Sequence, residues 1–257
     1  MDHSWKGLEM LLKNKTIIIT GSAMGIGRAA ALRCAEAGGK VVIADIDKIG
    51  LKETEAAIQS KNGQVVSLEI DISDANQVEE LMVNTFKTFG QIDGLINCAG
   101  VLEGAYVPID ELKESTWNRV MDVNLKGSFL ASKYVSAIMK KQGKGVIILL
   151  SSGAGVKGGS SSIAYGTSKG GVHGLAMVLE SQLTSFGIRV HAICPGGIST
   201  PMKLKNIADG AEAEGKSVDE ALMLASENLG SPEGVGDILA FLISDQAAHL
   251  RQTIFTR

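Results

Sequence analysis

The sequence has little that would suit a membrane or a nucleic-acid partner. Among its 257 residues the longest apolar runs, such as 146–150, are far shorter than the roughly 20 residues that span a bilayer. The net charge is −3 and no basic cluster occurs, which excludes a charged surface for nucleic acid or an anionic membrane. No basic start followed by a long apolar stretch opens the chain, so we expect no signal peptide and a cytoplasmic protein.

Cysteine is scarce as well. Cys34, Cys98 and Cys194 lie far apart in the sequence, and each has apolar neighbours, as small buried side chains do. The four histidines show no spacing typical of metal ligands. The sequence therefore predicts neither a disulfide bond nor a metal site.

What the chain does have is 31 glycines, placed where short apolar runs end. The runs predict strands at 16–20, 41–45, 65–70, 94–98, 145–151, 188–193 and, at the end, 253–256. Between them, helical patterns occupy 28–37, 51–60, 75–89, 115–140, 163–186 and about 233–243. Most runs are apolar without alternation, which is typical of parallel strands covered on both faces. The order predicts one α/β domain over 1–257, a single doubly wound parallel sheet of the Rossmann type with helices on both faces.

One long segment, about 196–230, interrupts this alternation. It is rich in Ala, Met, Glu and Gly with scattered apolar residues, and it follows the end of a predicted strand. A surface excursion would explain it, but a lid over the substrate side of a site is the better interpretation.

The first strand leads directly into TGSAMGIG, residues 20–27, and then into a helix. Glycines at this position allow phosphates to approach the free N–H groups of the helix N-terminus. The spacing is not that of the general dinucleotide fingerprint, and no Walker loop follows. Asp45 ends the second strand, where an acid would bind the adenosine ribose, with Asp47 as a competitor. Asp71 follows the third strand and could reach the adenine edge or cap the next turn.

Tyr165 and Lys169 lie four residues apart in AYGTSKGG, on one face of a predicted helix and among small residues. Such a pair is weak evidence by itself. Together with other motifs in the same order it resembles the short-chain dehydrogenase/reductase family. These motifs are the loop at 20–27, NCAG at 97–100, Asn124, Ser152 (with Ser151 as the alternative), the Tyr165–Lys169 pair and PGGISTP at 195–201.

The resemblance implies a catalytic set of Asn124, Ser152, Tyr165 and Lys169. Tyr165 would exchange a proton with the substrate oxygen, Lys169 would lower the pKa of the phenol and hold the nicotinamide ribose, Ser152 would bind the reacting oxygen, and Asn124 would hold a water. It also implies NAD as the cofactor. The residues expected to bind it, besides Tyr165 and Lys169, are Gly21, Ala23, Met24, Gly25, Ile26, Gly27, Asp45, Ile46, Asp71, Ile72, Asn97, Ala99, Gly100, Pro195, Gly196, Ile198 and Thr200.

The sequence thus predicts an NAD-dependent oxidoreductase that interconverts a secondary alcohol and a ketone. One alternative is an NADPH-dependent ketoreductase of the 3-oxoacyl-carrier-protein type, against which Met24 and Asp45 argue because a basic residue would be expected there. Another is a non-catalytic dinucleotide sensor. The resemblance also implies a homotetramer, with helices 115–140 and 163–186 between subunits.

Two features depart from the family pattern. Cys98 stands where an asparagine is usual, and the chain ends at TIFTR, short of the usual ending. The expected pocket residues are mostly apolar, which slightly favours a hydrophobic substrate. They are Val101, Leu102, Ala154, Val156, Gly197 and the 202–224 part of the lid, with Glu103 as a polar exception.

Overall fold

Seven parallel strands form a single sheet in the order β3-β2-β1-β4-β5-β6-β7. The structure, a computed structural model, describes residues 10–256. The strands are β1 (Thr16–Thr20), β2 (Lys40–Asp45), β3 (Gln64–Glu69), β4 (Gly94–Asn97), β5 (Gly145–Leu150), β6 (Ile188–Cys194) and β7 (Gln252–Phe255). The predicted doubly wound parallel sheet is confirmed, and each predicted strand is present to within a few residues.

Helices connect these strands and cover both faces of the sheet. They are α1 (Gly25–Glu36), α2 (Lys48–Gln59), α3 (Ala75–Phe89), α4 (Glu114–Met121), α5 (Gly127–Gln142), α6 (Gly153–Val156), α7 (Ile163–Leu183), α8 (Pro201–Ala213), α9 (Val218–Ser226) and α10 (Pro232–Ile243). A π-helical turn, Asp122–Lys126, joins α4 to α5. No helix within residues 10–256 is both long enough and apolar enough to cross a membrane.

The apolar strands are buried on both sides, as predicted. In β1, Ile17 and Ile19 pack with side chains of α1 and α10, whereas Ile18 between them packs with α3, α5 and α7 on the opposite face. All three isoleucines are completely buried. Burial of this kind contributes roughly 1.5–3 kcal/mol per large apolar side chain, so two cores hold the sheet in place.

The order of the strands reverses between β1 and β4. The chain leaves β1 towards α1 on one face of the sheet, and it leaves β4 towards α4 and α5, of which α5 packs on the other face. A crevice therefore opens beyond the carboxyl ends of these two strands, at Thr20 and Asn97. In open α/β sheets this is where ligands bind.

Several helix boundaries differ from the prediction. The helix predicted at 28–37 begins at Gly25, and the one predicted at 51–60 begins at Lys48, because Asp47 caps it by accepting hydrogen bonds from the N–H groups of Ile49 and Gly50. The helix predicted at 115–140 is divided by the π-helical turn.

The predicted lid segment contains two helices, α8 and α9, which the sequence analysis did not predict. Its ends meet in a short parallel bridge between Ile198 and Gly230. The N–H of Ser199 donates to the carbonyl of Gly230 at 2.8 Å, and the N–H of Gly230 donates to that of Gly197 at 2.8 Å. The segment therefore leaves the body of the protein and returns to it at one point.

The predicted assembly involves α5 and α7. Each displays an exposed apolar side chain, Phe129 at 49% and Val178 at 56% exposure. The homotetramer itself stays a prediction.

Candidate active site

A cleft of about 1540 Å³ lies at the carboxyl ends of the strands. Most of the residues predicted to bind the cofactor or substrate line it together. These are Gly21, Met24, Gly25, Ile26, Gly27, Asp45, Ile46, Asp71, Ile72, Ala99, Gly100, Ser152, Tyr165, Lys169, Pro195, Gly196, Ile198 and Thr200. Three predicted residues, Ala23, Asn97 and Asn124, do not line the cleft but are buried behind its wall.

The glycine loop leaves one end of the cleft free of side chains. Gly21 has a φ of +64°, and a Cβ there would lie 2.5 Å from the backbone nitrogen of Ala99. A Cβ on Gly27 would overlap the carbonyl oxygen of Gly21. Any larger residue would therefore force apart the loop and the segment that follows β4.

The N-terminus of α1 has no side-chain cap. Met24 occupies the N-cap position without a hydrogen bond from its side chain, and the first turn holds no acidic residue. By contrast, α2, α3 and α6 to α10 each have a capping side chain. The free N–H groups and the helix dipole of α1 face the cleft, and together with the absent Cβ atoms they fit a phosphate group.

The predicted residue Asn97 joins β1 to β4 below the loop. Its side-chain oxygen accepts a hydrogen bond from the Thr20 hydroxyl at 2.7 Å, and its amide donates to the Ser128 hydroxyl at 3.0 Å. The Thr20 hydroxyl in turn accepts from the N–H of Ala99 at 3.3 Å. Asn97 is only 2% exposed, so it shapes the cleft without lining it.

Asp45 lies at the end of β2 with its carboxylate turned toward the glycine loop. One oxygen accepts from the N–H of Ala23 at 2.9 Å and the other from the N–H of Asp47 at 3.0 Å. Because each carboxylate oxygen can accept two hydrogen bonds, both keep capacity for a ligand. Asp47 instead caps α2. The two aspartates that the sequence offered for binding the adenosine ribose therefore have different roles in the fold.

The same end of the cleft is acidic. Asp45, Asp47 and Asp71 line it. The nearby bases are paired: Lys48 with Glu69 at 3.1 Å, and Arg28 with Glu53 at 2.7 Å. The basic residues that line the cleft are Arg119, Lys157, Lys169 and Lys203, which lie on α4, after α6, on α7 and on α8.

Asp71 combines the two roles that the sequence allowed. One of its oxygens accepts hydrogen bonds from the N–H and the hydroxyl of Ser73, at 2.8 and 2.7 Å, and so closes the turn before α3. The residue nevertheless lines the cleft, with its second oxygen free of protein donors among residues 10–256. The neighbouring Ile72 lines the cleft as predicted.

The other end of the cleft is built from α6 and α7. Ser162 caps α7 by accepting a hydrogen bond from the N–H of Tyr165 at 3.1 Å, which fixes the first turn of that helix. Burial raises the pKa of the Tyr165 phenol above its usual range, and hydrogen bonding with Ser152 opposes the rise. Ser152 begins α6 and accepts from the N–H of Ala154 at 3.2 Å. The adjacent Ser151 instead donates to the carbonyl of Lys169 and is 3% exposed.

Lys169 is buried, at 5% exposure, and its ammonium donates to the carbonyl oxygen of Leu150 at 2.7 Å. Burial lowers the pKa of Lys169 to about 8. Its Nζ lies 5.7 Å from the centre of the Tyr165 ring. No hydrogen bond joins these two side chains, so an effect of the ammonium on the phenol would be electrostatic.

Asn124 lies in the π-helical turn with its side chain fully buried. Its oxygen accepts from the N–H of Val101 at 2.8 Å, and its amide donates to the Val101 carbonyl and the Ser168 hydroxyl, both at 2.9 Å. Both amide hydrogens are thus used within the protein, while the oxygen keeps one lone pair for the water that the family resemblance implies. A Cβ on Gly100 would lie 3.2 Å from this oxygen and 3.3 Å from Nζ of Lys169, which explains the glycine there.

The segment after β6 closes the cleft beside α6. The carbonyl of Pro195 accepts from the N–H of Gly153 at 3.1 Å. Thr200 caps α8 by accepting from the N–H of Lys203 at 3.2 Å, while its methyl group would lie 3.3 Å from a Cβ on Gly25. PGGISTP therefore touches both the glycine loop and the wall that holds Ser152.

Cys98 lines the cleft and is half-buried, whereas Cys34 and Cys194 are buried as predicted. All three are free thiols. Burial raises the pKa of Cys98 to about 12, although nearby Lys169 opposes the rise, so the thiol stays protonated. Within the described part of the chain no three His, Cys, Asp or Glu side chains are grouped to hold a metal ion.

The polar residues of the cleft that the sequence did not indicate include Tyr106, Ser161 and Asn206. Asn206 lies on α8, whose start is marked by Thr200 as N-cap and Pro201 at the first helical position, a signal that was available. Tyr106 has a φ of +61° and follows a loop without a pattern, so nothing in the sequence indicated its position.

A model of the short chain dehydrogenase family matches residues 15–210. The chain belongs to the short-chain dehydrogenase/reductase family. It is 33% identical to levodione reductase of Leifsonia aquatica, over 94% of this chain and 91% of that protein. The members of this family that it resembles are oxidoreductases acting on CH–OH groups, and this member is an enzyme of the same kind.

Two solved structures of the family show how its members differ in coenzyme. An NAD⁺-bound xylitol dehydrogenase has a TM-score of 0.88 at 28% identity and covers 95% of this chain and 98% of its own. An actinorhodin polyketide ketoreductase with NADPH has a TM-score of 0.90 at 27% identity, covering 95% and 97%. The cleft of this short-chain dehydrogenase therefore fits a nicotinamide dinucleotide, and the choice between the two depends on its own residues.

Proposed function

We propose that the protein interconverts a small secondary alcohol and a ketone with NAD as the coenzyme. The observation that carries this proposal is one continuous cleft. It joins the uncapped N-terminus of α1 and the carboxylate of Asp45 at one end to Ser152, Tyr165 and Lys169 at the other. The nicotinamide of the bound coenzyme accepts or supplies a hydride, and the protein must handle the proton.

Tyr165 is the group that we assign to the proton. Its raised pKa keeps the phenol protonated at neutral pH, so it can donate a proton to the oxygen of a ketone as a general acid. In the opposite direction a phenolate must form. Hydrogen bonding from Ser152 and the positive charge of Lys169 both favour the phenolate.

Lys169 is suited to this role because its charge is held in place. With a pKa of about 8 it is mainly protonated at pH 7, and its bond to Leu150 fixes the ammonium. Two hydrogens of the ammonium remain to bind a ribose hydroxyl. Ser152 positions the substrate oxygen, and Asn124 acts indirectly by holding Val101 and Ser168.

The acidic end of the cleft supports NAD over NADP. The 2′-phosphate of NADP would meet Asp45, with Asp47 and Asp71 nearby, and the neighbouring Lys48 and Arg28 are already paired. Like charges so placed disfavour binding, whereas ribose hydroxyls can donate to the free lone pairs of Asp45. The same argument disfavours the NADPH-dependent ketoreductase that the sequence analysis left open.

We assign the segment with α8 and α9 as the lid over the substrate. Met202 and Asn206 on α8 line the cleft with Val101, Leu102 and Ala154, and so leave a pocket of mixed polarity beside Ser152. Two of the relatives, levodione reductase and xylitol dehydrogenase, are named for small molecules, which supports a small substrate.

The test is turnover of a panel of secondary alcohols and ketones with each coenzyme, by wild type and Tyr165→Phe. We expect the variant to bind NAD with an unchanged dissociation constant while kcat falls roughly 10²–10⁴-fold, because only the proton-transfer group is removed. Tyr134→Phe, on α5 outside the cleft, is the matched control and should keep full turnover. Near-normal turnover by Tyr165→Phe would show that another group handles the proton.

A further inference from the structure

The lid helix α8 places a polar side chain where an apolar one would be expected. Asn206 is 7% exposed, and its neighbours on the same face are Met202 and Gly210, one turn before and after. A helix that only had to cover an apolar pocket would bury an apolar residue here, because an amide is costly to bury without partners. The amide is therefore informative about what the pocket holds.

Only part of this amide is used by the protein. Its nitrogen donates to the hydroxyl of Ser161 at 2.9 Å, and the Asn206 backbone carbonyl accepts from the hydroxyl of Tyr106 at 3.3 Å. Within residues 10–256 no donor reaches the side-chain oxygen, Oδ1. That oxygen is also absent from the buried atoms without a partner, so it is open to solvent, and the residue lines the cleft.

Ser161 offers the complementary group. Its hydroxyl accepts the hydrogen bond from Asn206, and its own hydrogen is donated to no acceptor among the described residues. Ser161 precedes Ser162, the residue that caps α7 and fixes Tyr165 three positions further on. Its carbonyl also accepts from the N–H of Tyr106 at 2.8 Å, so the pair is held on the same frame as the phenol.

We propose that Oδ1 of Asn206 and the hydroxyl of Ser161 form a subsite for a second hydroxyl group on the substrate. One free acceptor and one free donor match a hydroxyl, which both donates and accepts, whereas a carbonyl would leave Oδ1 unpaired. The substrate class is then a hydroxy ketone and the corresponding diol. This inference rests on the proposed function and narrows its substrate.

The test compares two ketones of nearly equal size, 3-hydroxy-2-butanone and 2-butanone, with NADH. We expect the wild-type kcat/KM to favour the hydroxy ketone by roughly tenfold or more, because a site that bonds a hydroxyl discriminates against a substrate lacking it. Asn206→Leu should lower that ratio toward one, mainly through the KM of the hydroxy ketone, and Ser161→Ala should lower it in the same direction. Asn228→Leu, on the exposed side of the lid, should keep the wild-type ratio.

The possible outcomes distinguish the hydroxyl subsite from the proposed function. Equal kcat/KM values for the two ketones in wild type would overturn the subsite and leave the proposed function standing. An Asn206→Leu variant that loses activity on both ketones alike would show that the residue only fastens the lid, and this too would overturn the subsite. Turnover of neither ketone by wild type would overturn the subsite, and the panel of secondary alcohols and ketones then decides separately on the proposed function.

Discussion

The two ends of the cleft are built by different means. At the end near Asp45, the walls are backbone: Gly21 and Gly27 leave no room for a Cβ, and the N–H groups of α1 are free. At the end near Tyr165 the walls are buried polar side chains with displaced pKa values, raised for Tyr165 and lowered for Lys169. In the function that we propose, the first end selects its ligand by shape and fixed dipoles, and the second end provides the electrostatic environment for a proton transfer.

The difference shows what each end can tolerate. The glycine loop cannot accommodate a side chain at Gly21 or Gly27, because a Cβ there would overlap neighbouring backbone atoms. Burial of an ammonium lowers the free energy of unfolding. Removal of this charge should therefore stabilise the protein, although the function of the group is lost. Substitutions at the two ends should therefore change stability in opposite directions.

The largest effect is expected for Gly21→Ala. The new Cβ would lie within 2.5–2.8 Å of backbone atoms of Cys98 and Ala99, so the loop must move. We expect the free energy of unfolding to fall by about 4 kcal/mol or more, with a loss of NAD binding. Gly143→Ala is the control: it has a φ of +70° but nothing within 4 Å, so it should lose only about 1–2 kcal/mol.

Urea denaturation of both variants, with calorimetric titration of NAD, makes this measurement. A Gly21→Ala protein that does not fold beside a folded Gly143→Ala protein is the extreme form of the expected result. Equal losses of stability in the two variants would mean that backbone strain alone, and not the crowding at Ala99, makes glycine necessary at position 21.

The next effect concerns coenzyme choice. Asp45→Ser should narrow the preference for NAD over NADP in kcat/KM by roughly a hundredfold, because it removes the charge that faces the 2′-phosphate. Asp47→Ser is the matched control, since serine also caps a helix and one oxygen of the Asp47 carboxylate accepts from the N–H groups of Ile49 and Gly50. It should change the preference far less. Equal affinity of the wild type for the two coenzymes would contradict the assignment of NAD.

The smallest effect is expected for Lys169→Met without coenzyme. Here the free energy of unfolding should rise, whereas it falls in Gly21→Ala. A pKa lowered from 10.5 to about 8 means that the buried charge costs about 3 kcal/mol at neutral pH. The variant leaves the Leu150 carbonyl unpaired, at roughly 1 kcal/mol, so we expect a net gain of about 2 kcal/mol.

The pH dependence separates this explanation from simple packing. In wild type the destabilisation is complete below pH 8 and disappears as the pH rises from about 8 to 10.5, because the unfolded chain then binds the additional proton. The advantage of the Met variant should shrink over the same range in denaturation experiments. Lys87→Met, on α3, replaces an exposed lysine and should show neither the gain nor its pH dependence. A gain independent of pH would assign the effect to packing.

The sheet was predictable from sequence because its strands are continuous apolar runs that must be covered on both faces. The helical pattern at 75–89 predicted both ends of α3 correctly. Asp74 caps this helix, and Gly90 ends it with a left-handed φ of 73°. The start of α1 was placed three residues late because Gly25 and Gly27 were assigned to the loop. These glycines belong to the helix and are needed there for close approach, which overrides their low helix propensity.

The site was predictable to a different degree. Motif spacing indicated Tyr165 and Lys169, the end of the second strand indicated Asp45, and all three line the cleft. It did not reveal that Asn124 spends its amide hydrogens on Val101 and Ser168, because which partner a polar group finds depends on tertiary contacts. Thr200 and Pro201 marked the helix that carries Asn206, but the role of Asn206 could not be predicted, because it depends on a serine 45 residues away in the sequence.

The bridge between Ile198 and Gly230 holds the two ends of the intervening segment together, so the segment could be exchanged for another sequence. Because both ends are already held together by backbone hydrogen bonds, a longer or shorter insert would add little loop-closure entropy, about 0.6 kcal/mol for each doubling of length. The sheet and the glycine loop lie outside this segment. Their structure would therefore stay unchanged when the residues after Thr200 are exchanged. Substrate choice could then be re-engineered by grafting other sequences between Thr200, which lies against Gly25 of the glycine loop and is kept, and Gly230. The proposed proton-transfer residues and the residues predicted to bind the coenzyme then stay in place.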